Sequence, residues 1–202
     1  ATDDDYSTAV GNNALTAQTG KGGTLANVAL GYSAAAGNLT GERNVVLGAW
    51  AGNATTDADS CVIIGQGAME GGNATADGTI AIGRSSLASL IGGARNLAIG
   101  FNSLDSLTQG DDNIAIGYDA LGSATTTDGI DKNIAIGSYA LDGTVGQVVD
   151  SVVAIGYGAM TGACEDEVAG SVAIGRAALG AVTTGAGNVA IGYRAAEALT
   201  TG

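Results

Sequence analysis

The side chains of this chain best suited to acid–base chemistry are its carboxylates, and the close pairs Asp111 with Asp112 and Glu165 with Glu167 come nearest to a catalytic couple. A hydrolytic pair needs one carboxyl kept protonated while its neighbour stays ionised, so the two must occupy different environments. Neighbours on one loop share solvent and do not meet that need. No histidine occurs anywhere, which removes imidazole as general base, triad member and metal ligand. Glycine is abundant, but no glycine-rich loop carries the lysine of a phosphate cradle. These observations predict a protein that is not an enzyme and takes no cofactor.

Two other chemistries remain. The acids gather in loops (Asp57, Asp59, Asp111, Asp112, Asp128, Asp131, Glu165, Asp166, Glu167), where they read mainly as a solvated surface that resists lateral aggregation. Calcium binding there is the alternative, weakened because the glycine–aspartate nonapeptide of calcium-binding solenoids is missing. The second chemistry is aromatic. Tyr32, Phe101, Tyr118, Tyr157 and Tyr193 each follow a recurring glycine directly, with Arg84 and Arg176 at the same place in other copies, and Trp50 and Tyr139 one residue further on. Stacking the copies would set these side chains in a broken ladder along one edge. Such a ladder shields a corner or fills an interface between chains, or else it is a platform for sugar rings or another surface.

What must position them is a five-residue phrase, seen as Asn113-Ile114-Ala115-Ile116-Gly117 and repeated along the whole chain. Its closing glycines are Gly11, Gly31, Gly48, Gly65, Gly83, Gly100, Gly117, Gly137, Gly156, Gly175 and Gly192, at spacings of 17 to 20 residues. Such self-similarity decides the fold. The residue before each glycine is aliphatic, as is the one two places earlier except at Thr8, and the residue between is alanine except at Val46 and Ile63. Alternation with β-branched residues on one face predicts a short strand, its large side chains inward and its alanines outward. Three and four residues past the glycine come Ala or Ser and then mostly Leu or Met, a second inward face. A single copy buries too little to offset the entropy of ordering it, whereas stacked copies hydrogen-bond to one another. The expected fold is all-β: a parallel β-solenoid (β-roll or β-helix) of about eleven coils, with residues 1–202 forming one repeat array and no second domain. The longer spacings fall where loops are extended, at 123–132 and 142–150.

Composition agrees. Of 202 residues, 35 are glycine, none is proline and 4% are aromatic, which disfavours an ordinary globular core; 46% are hydrophobic, which disfavours disorder despite a net charge of −13. With only seven basic residues, nucleic acid is not an expected partner. Apolar runs are too short for membrane insertion. The loop-like start at Ala1 and the stop at Thr200-Thr201-Gly202 suggest a fragment of a longer protein.

Asn27, Asn44, Asn96, Asn113, Asn133 and Asn188 open the phrase and are expected to bond along the stack. Cys61 replaces one of them, while Cys164 sits in a loop five coils on. At about 4.8 Å per coil the two thiols are far beyond disulfide reach. Asn38, Asn53 and Asn73 each begin a glycosylation triplet. An ice-binding face is disfavoured because the threonines lie in loops of unequal length.

The strings Asn188-Val189-Ala190-Ile191-Gly192-Tyr193 and Asn113 through Leu121, with Thr-Thr-Gly between copies, resemble the repeats of bacteriophage tail-fibre and other viral fibre proteins. They are similar also to the Val-Ala-Ile-Gly head repeats of trimeric autotransporter adhesins, although the period here is longer. The resemblance implies a left-handed roll and a homotrimeric rod on a virion or at an extracellular or cell surface. In the viral case the segment would be a shaft or spacer of a tail or capsid fibre that presents a receptor-binding end. In the bacterial case it would be a cell-surface adhesin head binding host glycan, matrix or a receptor through the aromatic edge.

Overall fold

Each copy of the phrase forms a three-residue strand whose glycine turns the chain away. The structure is a computed structural model, and it describes residues 6–19, 25–71, 75–123, 130–143, 149–162 and 168–202. The strands are β1 (Thr8–Val10), β2 (Val28–Leu30), β3 (Val45–Leu47), β4 (Val62–Ile64), β5 (Ile80–Ile82), β6 (Leu97–Ile99), β7 (Ile114–Ile116), β8 (Ile130–Asp131), β9 (Ile134–Ile136), β10 (Val149–Asp150), β11 (Val153–Ile155), β12 (Val172–Ile174) and β13 (Val189–Ile191). All but β8 and β10 join in one eleven-stranded parallel sheet that follows chain order. Every residue pairs with its own equivalent one coil away, as in Ile114↔Ile134, Ala115↔Ala135 and Ile116↔Ile136. The chain is therefore a parallel β-solenoid. Among the described residues no helix is long and apolar enough to cross a membrane.

The strand faces the opposite way from the sequence expectation. Ala29, Val46, Ile63, Ala81, Ala98, Ala115, Ala135, Ala154, Ala173 and Ala190 are buried, whereas the aliphatic residues on either side of them point outward. The reason lies across the coil. Leu87, Leu104, Leu121, Leu141, Met160 and Leu179, four residues past each glycine, are fully buried and reach toward the strand, so only a methyl group fits between the layers. At Gly52, which leaves the most space in that layer, the strand residues are larger: a side chain added there would meet Ile63 at 3.2 Å and Val46 at 3.5 Å. The two departures from alanine thus keep the core filled.

The layer carrying these Leu and Met residues is also bonded from coil to coil, through Leu104 N–H to Ala120 O (3.1 Å) and Leu121 N–H to Ala140 O (2.9 Å). It is not strand, because its backbone passes through left-handed conformations two and four residues after each glycine, for example Asp119 (φ 48°) and Leu121 (φ 50°). β-branched side chains are strained there. That constraint explains why Leu and Met fill the core while Ile and Val stand outside on the strand.

Each extended segment closes in a two-residue strand. β8 and β10 pair in parallel as a small second sheet, and their Ile130 and Val149 are buried.

Candidate functional site

The opening asparagines form an internal column, buried at every one but Asn188 in the last coil. Asn113 Oδ1 accepts the Asn133 N–H (3.1 Å) while its Nδ2 donates to Ile130 O (2.6 Å), and Asn133 repeats this with Val152 N–H (2.9 Å) and Val149 O (2.7 Å). Asn27 and Asn44 do the same in the early coils. The column is structural, as expected. Cys61 takes an asparagine's place and donates its thiol to Ala76 O at 2.9 Å. Burial pushes that thiol up to about 11, which keeps it protonated and unreactive. Cys164 lies outside the described residues. Asn38, which begins a glycosylation triplet, is buried and donates to Gly41 O.

Several acids bond within the stack as well. Asp59 accepts the Glu42 N–H (2.7 Å), Asp77 the Asp59 N–H (2.9 Å), Asp111 the Ala94 N–H (2.7 Å) and Asp131 the Asp111 N–H (2.7 Å). Asp112 takes both Nε and Nη2 of Arg95, at 2.6 and 2.9 Å, so its carboxyl sits below the usual range. These oxygens satisfy backbone and guanidinium donors, which a calcium ion would have to displace. Among the described residues no three potential metal ligands converge; Asp128 and Glu165 to Glu167 lie outside them.

The aromatic ladder assembles. Phe101 and Tyr118 stack with ring centroids 5.6 Å apart, and Tyr118–Tyr139 (5.2 Å) and Tyr139–Tyr157 (5.9 Å) follow edge to face. Tyr139 joins although it sits one residue later than its neighbours. Arg84 caps the Phe101 end, its guanidinium 5.4 Å from the ring centre. At the other end Arg176 lies 5.5 Å from the Tyr157 centre and 5.9 Å from that of Tyr193. Arg84 through Tyr193 therefore make one unbroken column of rings and guanidinium planes over seven successive coils. Tyr32 and Trp50 form a separate pair, 5.6 Å apart, cut off where Gln66 and Gly67 carry no ring.

Beside the last coils of this column runs an open groove of about 590 Å³, lined by Tyr139, Asp142, Tyr157, Thr161, Arg176 and Tyr193 among others. Sequence reasoning placed Arg176 in the ladder but not Asp142 or Thr161, which fall in the chain well after the glycine and carry no local signal. Burial raises the Asp142 carboxyl above the usual aspartate range, and Ser123 holds it through both its N–H and its hydroxyl at 3.0 Å.

Comparison of the chain with protein-family models, with curated proteins and with solved structures finds no match in any of the three.

Proposed function

We propose that this chain is a shaft or spacer segment of an extracellular fibre, a viral tail or capsid fibre, and that it works as a homotrimer. The observation that supports this is the outward face of the main sheet. Every outward strand position except Thr8 is aliphatic. The face runs the length of the rod, about 50 Å at the usual strand spacing. Val28, Leu30, Val10 and Val45 are among its exposed members. A continuous apolar strip of that length is unusual on a lone soluble chain and marks a surface that another surface covers. A second copy presents the same strip at the same pitch, so copies of this chain are the partners that match it in length and spacing. The resemblance to trimeric fibre repeats points to the same number.

The alternative role, a bacterial adhesin head, draws on the exposed aromatic column instead. The two roles share the trimer. Light scattering with sedimentation tests it: an elongated trimer is expected, and Ile116→Asp together with Ile136→Asp should release monomers by placing unpaired charge in the joint. A wild-type chain that is a stable monomer would sink the proposal.

A further inference from the structure

We infer that the groove beside Tyr157, Arg176 and Tyr193 binds a saccharide that carries a single carboxylate, such as a terminal uronic or nonulosonic acid residue. The first observation is the state of Arg176. In a chain with 20 acids and seven bases, Arg43, Arg95 and Arg194 each pair with a carboxylate. Arg176 has no carboxylate partner among the described residues and is held instead between two tyrosine rings. A guanidinium gripped by its faces keeps its edge donors free, and those donors match a carboxylate in bidentate fashion.

The second observation is the setting. Tyr157 and Tyr193 are 55% and 68% exposed, so their rings can take the apolar face of a pyranose. Asp142, fixed by Ser123, and the Thr161 hydroxyl line the same groove and suit sugar hydroxyls. A volume of about 590 Å³ falls within the range of small-ligand sites.

Charge narrows the class. The net −13 repels polyanions such as nucleic acid or heavily sulfated chains, whose many charges cannot all reach Arg176. A single carboxylate meets Arg176 at short range; of the two acids that line the groove, Glu197 is paired with Arg194 and Asp142 accepts from Ser123, while repulsion from more distant acids is screened beyond about 8 Å at physiological salt. A neutral sugar would use the rings but leave the guanidinium without its ion pair. The site does not depend on the shaft role: a monomer that bound the sugar would overturn the shaft and leave the site standing.

The test is calorimetric titration of the whole chain with sialyllactose and, separately, with lactose. Sialyllactose should bind at least about tenfold more tightly, as expected for one charge-assisted bidentate contact, and free glucuronate but not glucose should compete with it. Arg176→Gln should abolish the preference for the acid. Tyr193→Ala should weaken both sugars with little change in melting temperature. Equal affinity for the two sugars, no binding at millimolar sialyllactose, or a preference that survives Arg176→Gln would each overturn the inference, and the first two need only the unaltered chain.

Discussion

At the scale of single residues, stability rests on positions that tolerate one chemistry. Gly117 has φ 139°, and a Cβ there would lie 2.6 Å from the Gly137 carbonyl carbon of the next coil. Gly192 has a similar φ of 130°, but its Cβ would meet only Ala195, at 3.9 Å. Both alanine variants carry backbone strain, of order 1–3 kcal/mol, and only Gly117→Ala adds a clash with backbone. Denaturant titration should show Gly117→Ala losing clearly more than Gly192→Ala; equal losses would mean that close approach contributes nothing. Asn113 is sensitive for a different reason. Asn113→Ala would leave the Asn133 N–H and the Ile130 carbonyl without their partner, each costing about 1–3 kcal/mol when buried. The expected loss is therefore about 2–6 kcal/mol, read from the same titration.

At the scale of the element, the unit is a coil with a strand on one side and a left-handed turn layer on the other. What matters is their combined volume. Ala115→Ile has no room opposite Leu121 and should cost about 1–3 kcal/mol by overpacking. Ile63→Ala should also destabilise, by about 2–5 kcal/mol, through the cavity left beside Gly52. Ile63→Ala combined with Gly52→Ala should not recover the loss, because Gly52 (φ 54°) is itself left-handed and one methyl is smaller than the side chain removed. Thermal melts of these three variants would check the complementarity. The aromatic column belongs to this scale too: each ring is ordinary alone, and only the coil pitch brings Phe101, Tyr118, Tyr139 and Tyr157 into contact.

At the scale of the whole molecule, charge decides the response to pH. Burial raises the carboxyls of Asp105 and Asp142 above the ordinary 3.8. The folded chain thus holds those protons more tightly than the unfolded chain does, and stability falls as pH climbs from 3.8 through the raised values. Asp112 behaves in reverse: Arg95 lowers its carboxyl, so its contribution is present above 3.8 and is lost as pH drops through the lowered value. Melting temperature should therefore rise as pH is brought from neutrality toward 3.8 and fall below it. Asp142→Asn should flatten the rise, and a rise of unchanged size in that variant would exclude Asp142 as a source.

The sequence by itself determined the periodicity, the parallel stack, the in-register pairing and the asparagine column, because each follows from identical residues meeting their equivalents one coil away. The left-handed corners were also written there: no Val, Ile or Thr occupies the position four residues past any repeat glycine, from Leu15 to Ala196. Only the tertiary structure decided which strand face is inside. Period-2 alternation separates two faces but does not assign them, and the rule that larger aliphatics go inward chose the wrong one here. The interior is narrow, and Leu and Met from the turn layer fill it, so the strand contributes alanine to the core. Ile and Val are left for the surface of the rod. Burial is a property of two layers together, which no single segment of the chain encodes. The groove beside Arg176 is tertiary for the same reason, since Asp142, Thr161 and Tyr193 reach one place only through the pitch of the stack.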